Sequence, residues 1–234
     1  MIFRQLFERE SSTYTYLLAS RAGGEALIID PVLEKTEELL QLIDELGLRL
    51  VLAIDTHTHA DHVTALGALR DATACVTAMG EQSRAECVTT RFRDGERIAI
   101  DGLHLRAIYT PGHTDESFSL HYEGDAANAA RVFTGDVLLI RGTGRTDFQN
   151  GDPNRSYDSI FNKLLCLPDD TFVYPAHDYR GHTVSTIAEE RAHNPRLQVN
   201  SADEYVAIMN NLRLASPKLM DIAVPANLRC GRAA

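Results

Sequence analysis

Thr56-His57-Thr58-His59-Ala60-Asp61-His62 sets three histidines and a carboxylate within one short stretch, directly after the apolar run 48–54 and Asp55. Few features restrict a fold as tightly. Neutral imidazoles and a carboxylate are good ligands for zinc or iron, and a turn that follows a strand can aim several of them at one point. Four fixed positions of these types arise by chance in a chain of this size roughly once in several thousand sequences. The fold must therefore offer a strand end where this turn is held. A helix beginning near Asp61 would also present its N-terminus there.

Three later positions have the chemistry to complete a metal centre: His113 in Thr110-Pro111-Gly112-His113-Thr114, Asp136 in Phe133-Thr134-Gly135-Asp136, and His177 in Tyr174-Pro175-Ala176-His177-Asp178. Each follows a segment with strand character. The placed residues run from His57 to His177, so a centre using them is assembled by the tertiary fold and not by one loop. His104, His121, His182 and His193 lie outside the pattern and read as ordinary residues.

The flanking chain alternates between the two periods. Residues 13–18 and 26–30 read as strands around the turn Arg21-Ala22-Gly23-Gly24. Leu39, Leu40, Ile43 and Leu46 recur at helical spacing within 34–46, and the apolar run 48–54 then completes a β-α-β unit. Asp101-Gly102 joins 97–100 to 103–108 as a hairpin with a favoured two-residue turn. Further strands are expected at 117–122, 131–134 and 171–174, and helices at 155–165, 183–192 and 202–212. Two β-rich halves with interspersed helices imply an α/β protein, two packed sheets with helices outside in a four-layer αββα sandwich. Periodicity alone does not choose that sandwich over other mixed folds. With 234 residues and no repeat or Pro/Gly-rich linker, residues 1–234 are expected to form a single domain.

Charge and cysteine content exclude several classes. Lys and Arg number 23 against 33 Asp and Glu, a net charge of −10. An acidic surface repels nucleic-acid backbones, so no nucleic acid is expected as a partner. No apolar stretch is long enough to span a bilayer, and the N-terminus has no long apolar signal region. A cytoplasmic protein, or the mature form of an organelle enzyme, is expected. Cys75, Cys87, Cys166 and Cys230 contain no CxxC pair, which reads as free thiols in a reducing compartment, with Cys230 most simply packed.

The histidine pattern, followed by His113, Asp136 and His177 in that order, resembles the metallo-β-lactamase superfamily, and the αββα sandwich with a metal site at one edge is what that resemblance implies. Further segments narrow it: Phe3-Arg4-Gln5-Leu6-Phe7, Ser11-Ser12-Thr13-Tyr14-Thr15-Tyr16-Leu17-Leu18, Arg141-Gly142-Thr143-Gly144-Arg145-Thr146-Asp147-Phe148-Gln149, Asn194-Pro195-Arg196-Leu197 and Ala223-Val224-Pro225-Ala226-Asn227-Leu228-Arg229-Cys230-Gly231. Together these closely resemble the persulfide dioxygenase family.

The resemblance implies one Fe(2+) per chain, held by His57, His113 and Asp136, with open positions for a persulfide and O2. His59, Asp61, His62 and His177 would be a polar surround retained from a second metal position. The implied substrate is glutathione persulfide, converted with O2 and water to glutathione and sulfite. Its carboxylates call for local cations, and Arg145, Arg196 and Arg141, with Tyr179, are the candidate substrate residues. Residues 183–234 would be a short helical, substrate-binding extension, and a homo-oligomer is compatible with all of this. Thr134 and Asp30 read as supports for the ligand loops. The competing expectation is a dinuclear thioester hydrolase of the glyoxalase II type, in which Asp136 bridges two metals.

Overall fold

The structure, a computed structural model, describes residues 1–215 and 219–232. In chain order its elements are β1 (Ile2–Glu8), β2 (Thr13–Ala19), β3 (Glu25–Ile29), α1 (Thr36–Glu45), β4 (Arg49–Ile54), α2 (Leu66–Thr73), β5 (Val76–Gly80) and β6 (Thr90–Phe92). There follow β7 (Arg97–Ile100), β8 (Leu103–Tyr109), β9 (Phe118–Tyr122), β10 (Arg131–Gly135), α3 (Pro153–Phe161), β11 (Phe172–Pro175), β12 (Ser185–Thr186), α4 (Ile187–His193), α5 (Ala202–Asn210) and α6 (Met220–Asn227). The strands form two six-stranded sheets, ordered β1-β2-β3-β4-β5-β6 and β12-β11-β10-β9-β8-β7. The chain divides into two compact units, one holding Met1–Phe92, Arg97–His104 and the tail, the other Arg93–Glu96 and Leu105–Ala215.

In the first unit β1, β2 and β3 are antiparallel, and β3 through β6 run parallel. The parallel step from β3 to β4 needs a crossover, and α1 supplies it. Leu39 and Ile43, one helical turn apart, are its buried positions, and they join Leu17, Ile28, Leu66 and Leu69 in this unit's core. The Thr/Tyr alternation of β2 suggests a half-buried strand, yet every residue of β2 is buried.

The second unit runs antiparallel from β8 to β10 and then parallel to β11, with α3 in the crossover. Its core gathers Val132, Leu138, Ile160, Val173, Ile187 and Tyr205. The helix expected at 155–165 starts earlier and ends earlier. Asp152 caps α3 by accepting from Asn154 N and Arg155 N, with Pro153 in the first turn, and a separate 3-10 turn, Leu164–Cys166, follows. Likewise the stretch 183–192 opens as the short strand β12 before Thr186 caps α4.

Two expectations are corrected. No helix begins near Asp61: Val63 O accepts from Leu33 N, and Thr64 bridges Val32, so these residues are held extended and α2 starts only at Leu66. The cysteines are not all free thiols. Cys87 and Cys230 form a disulfide across 143 residues of chain, leaving Cys75 buried and Cys166 exposed as thiols. Spacing arithmetic detects local pairs, whereas this one exists only because the fold returns the C-terminal tail to the first unit. Among the described residues no helix is long and apolar enough to cross a membrane.

Candidate metal centre

The histidine-rich turn leaves the C-terminal end of β4 in the first unit, and a network of hydrogen bonds assigns each ring its donor face. Asp30, at the end of β3 with φ 51°, accepts from Thr56 N at 2.7 Å, from Thr56 Oγ1 at 3.0 Å and from His59 Nε2 at 3.1 Å. Since the Thr56 hydroxyl proton goes to Asp30, its oxygen accepts from His57 Nδ1 at 3.0 Å, which leaves the lone pair of His57 on Nε2. By the same logic His59 keeps its lone pair on Nδ1. His62 Nδ1 donates to Asp61 Oδ2 at 2.9 Å, leaving Nε2, and Thr13 Oγ1 also donates to Asp61 Oδ2, at 3.2 Å. Burial pushes the Asp30 carboxyl up, against the opposing pull of His57 and the Thr56 donors.

His57, His59, His62, Asp30 and Asp55 are all buried. Ligand atoms of His59, Asp61 and His62 lie within 4.8 Å of one another, as do those of Asp30, Asp55 and His59. The second trio faces inward: Asp55 accepts from Thr64 Oγ1 at 3.0 Å, so its carboxylate braces the turn.

In the second unit His113 follows β8 and Asp136 follows β10. Gly112 has φ 146°, and a Cβ there would meet Ser156 Cα of α3 at 2.3 Å, so only glycine lets the chain pass beneath the helix start. His113 Nδ1 lies 2.8 Å from the Arg145 carbonyl, an acceptor that compels Nδ1 to be the donor. The lone pair on Nε2 then faces Asp136 Oδ2 at 3.5 Å. Asp136 Oδ1 is buried, accepts no hydrogen bond among the described residues, and stands 3.7 Å from His177 Nε2. A carboxylate oxygen withdrawn from water without a donor is costly unless a cation meets it. The donor set thus suits a resident metal ion. His177 is delivered by β11, where Ala176 N donates to Gly135 O at 2.9 Å, and its ring lies parallel to that of Tyr179 at 6.0 Å.

The four candidate substrate residues have different surroundings. Tyr179 is 70% exposed. Arg141 donates to the fully buried Glu190, to Glu189 at 2.8 Å and to Ser185 at 2.9 Å, so its guanidinium is committed to the base of α4. Arg145 makes a bidentate pair with Asp147 at 2.7 and 2.8 Å and lies over the Phe148 ring. Arg196 donates to the carbonyl and hydroxyl of Thr143 but, among the described residues, pairs with no carboxylate, and burial lowers its pKa. Asn227, Thr13 and Asp55 were not singled out from sequence as parts of the site. The signal for Asn227 was present as a lone amide inside an apolar run.

This fold and these histidine and carboxylate clusters define a metal-binding protein of the metallo-β-lactamase type, and residues 9–177 match the Metallo-beta-lactamase superfamily. The chain is 47% identical to human "Persulfide dioxygenase ETHE1, mitochondrial" over 99% of this chain and 89% of that protein. It is 46% identical to the mouse protein of the same name over the same shares. The crystal structure of ETHE1 from Myxococcus xanthus superposes with a TM-score of 0.94 at 50% identity, covering 99% of this chain and 100% of that one. The chain belongs to the persulfide dioxygenase family of the metallo-β-lactamase superfamily, a family of oxidoreductases.

Proposed function

We propose that this protein oxidises glutathione persulfide with O2 and water to sulfite and glutathione, in sulfide detoxification, using one Fe(2+) per chain held by His57, His113 and Asp136. The observation that carries this reading is identity of 47% with a persulfide dioxygenase sustained over 99% of the chain. When bound, iron on two imidazoles and a carboxylate supplies open coordination positions and the electrons that spin-paired substrates do not readily give to O2.

The chain's own residues prepare that site. The Arg145 carbonyl and the Thr56–Asp30 pair hold the His113 and His57 rings with their Nε2 lone pairs available. His59, Asp61, His62 and His177 form the polar surround. Arg196, without an acidic partner among the described residues, is the cation we assign to a carboxylate of glutathione, and exposed Tyr179 is a further substrate residue. Arg145 and Arg141 are also proposed on the substrate side, where their ion pairs brace the loop that carries Gly144. We further propose that residues 1–234 work as one domain, in the cytoplasm or an organelle matrix, with 183–234 as a short helical, substrate-binding extension.

The test is anaerobic purification, metal counting, and an oxygen-electrode assay with glutathione persulfide run beside S-lactoylglutathione hydrolysis. About one iron per chain with O2 uptake and sulfite release is expected. Two metals per chain, thioester hydrolysis and no O2 uptake would replace this reading with the hydrolase.

A further inference from the structure

The C-terminal segment carries no reacting group, yet it meets the backbone of the histidine turn at several points. Asn227, the last residue of α6, is 3% exposed. Its Nδ2 donates to His59 O and to His62 O, both at 2.9 Å, and its Oδ1 accepts from Thr64 N at 2.8 Å. One side-chain amide thus pairs three backbone groups of a buried turn, beside the point where Thr64 bridges Val32, and removing it takes a partner from each of the three.

The residues that follow fasten this amide in place. Cys230 O accepts from Gly67 N at 2.9 Å, and Leu228 O accepts from Glu86 N at 3.2 Å. Gly231, with φ 81°, packs so closely that a Cβ would sit 2.0 Å from Thr64 O. The remaining attachment is covalent: Cys230 is disulfide-bonded to Cys87, in the segment between β5 and β6, whose carbonyl accepts from Arg70 Nη1 at 2.5 Å. Arg232 pairs with Asp71, but both are exposed, so that pair adds little.

We propose that Asn227 is a positioning residue for the metal-carrying turn and that the Cys87–Cys230 disulfide is a reducible lock on it, so that reduction loosens the turn and weakens metal retention. Only the reading of this turn as metal-carrying is borrowed from the proposed function. Neither the identity of the metal nor that of the substrate enters. The sulfurs differ in access, Cys230 being 1% exposed and Cys87 half-buried, so the attack falls on Cys87. A dithiol reductant adds one thiolate to Cys87 Sγ, the S–S bond breaks, and Cys230 leaves and takes up a proton. The reductant's second thiol then closes on the first, releasing Cys87 as a thiol. Two electrons pass to the cysteines and the reductant ends as a cyclic disulfide. Loss of the crosslink lets the tail open locally at lower cost, and the turn loses its amide whenever it does.

The experiment uses the full chain. Hydrogen exchange of the metal-free protein is followed at Thr64 and Gly67, whose N–H groups donate to Asn227 and Cys230, before and after dithiothreitol, with the disulfide counted by mass spectrometry. In parallel, loss of iron from the loaded protein to a chelator is timed. Reduction is expected to accelerate exchange at both amides about tenfold and to hasten metal loss by a similar factor. Cys87→Ser should show the fast behaviour with or without reductant. Asn227→Ala should do so as well, and Asn227→Asp, which keeps an acceptor for Thr64 N, should recover part of the protection there. Unchanged exchange after verified cleavage, or two free thiols in the untreated protein, would overturn the proposal. Faster exchange in a protein that binds no iron would leave the clamp standing and remove the iron reading instead.

Discussion

A Cβ on Gly144 would sit 2.1 Å from the Asp136 carbonyl oxygen and 2.9 Å from His113 Nδ1. The glycine in Arg141-Gly142-Thr143-Gly144-Arg145 is therefore dictated by closeness to two proposed ligands, and the Arg145 carbonyl beside it selects the His113 tautomer. Gly144→Ala is expected to fold with a stability loss of about 1–3 kcal/mol from overpacking and to retain only a small fraction of the wild-type metal, read by melting and metal analysis. The arginines separate in the same way. Arg141→Ala removes the cation paired with the buried Glu190, leaving it only the neutral donors Ser185, Asn194 and the backbone N–H of residue 141, and should cost about 3 kcal/mol, measured by urea unfolding. Arg196→Ala, which breaks no ion pair among the described residues, should keep the proposed iron and raise KM for glutathione persulfide roughly 5–10-fold, the loss of one charge-assisted contact. An unchanged KM would remove Arg196 from the substrate site. Sequence ranks Arg145 and Arg196 above Arg141 but does not show what each guanidinium meets, because a side chain's partner is a property of what lies across space.

At the level of elements, local signals were most readable where turn chemistry is strict. The hairpin at Asp101-Gly102, the β3-α1-β4 unit and the strands leading to His113, Asp136 and His177 all stand where their periods place them. Ends were less legible, since the start of α3 is decided by the Asp152 cap and Pro153 and not by the apolar spacing of the helix body. Strand β9 carries a consequence of burial that its pattern did not advertise. His121 is 4% exposed, and burial, reinforced by the Arg106 guanidinium, pushes its pKa down to about 4. It is neutral in the folded protein at pH 7. As pH falls from about 6.5 toward about 4, the unfolded chain binds a proton that the folded chain refuses, so stability declines through that window. His121→Gln, which cannot titrate, should flatten this acid limb in urea midpoints measured against pH, while an NMR titration of the wild type should place His121 near pH 4.

For the molecule as a whole, the net charge of −10 gives the proposed metal ion and Arg196, which has no carboxylate partner among the described residues, particular weight as landing points for the proposed anionic substrate. Metal that binds only the folded chain also stabilises it. Chelation should lower the melting temperature, by the equivalent of about 4 kcal/mol when free metal had stood a thousandfold above its Kd, and identical melts with and without metal would show that no resident ion is bound. The sequence by itself determined which histidines and carboxylates are candidate ligands and their order along the chain, the net negative charge and the alternation of strand and helix. Each of these follows from residue chemistry and short-range period. Only the tertiary structure decided which nitrogen of His57 and His113 carries the lone pair, which arginines are already engaged, that Cys87 meets Cys230, and that Asn227 holds the histidine turn. Those facts depend on groups tens to more than a hundred residues apart sharing a few ångströms, and hydrogen bonds and disulfides report proximity in space, which no local pattern encodes.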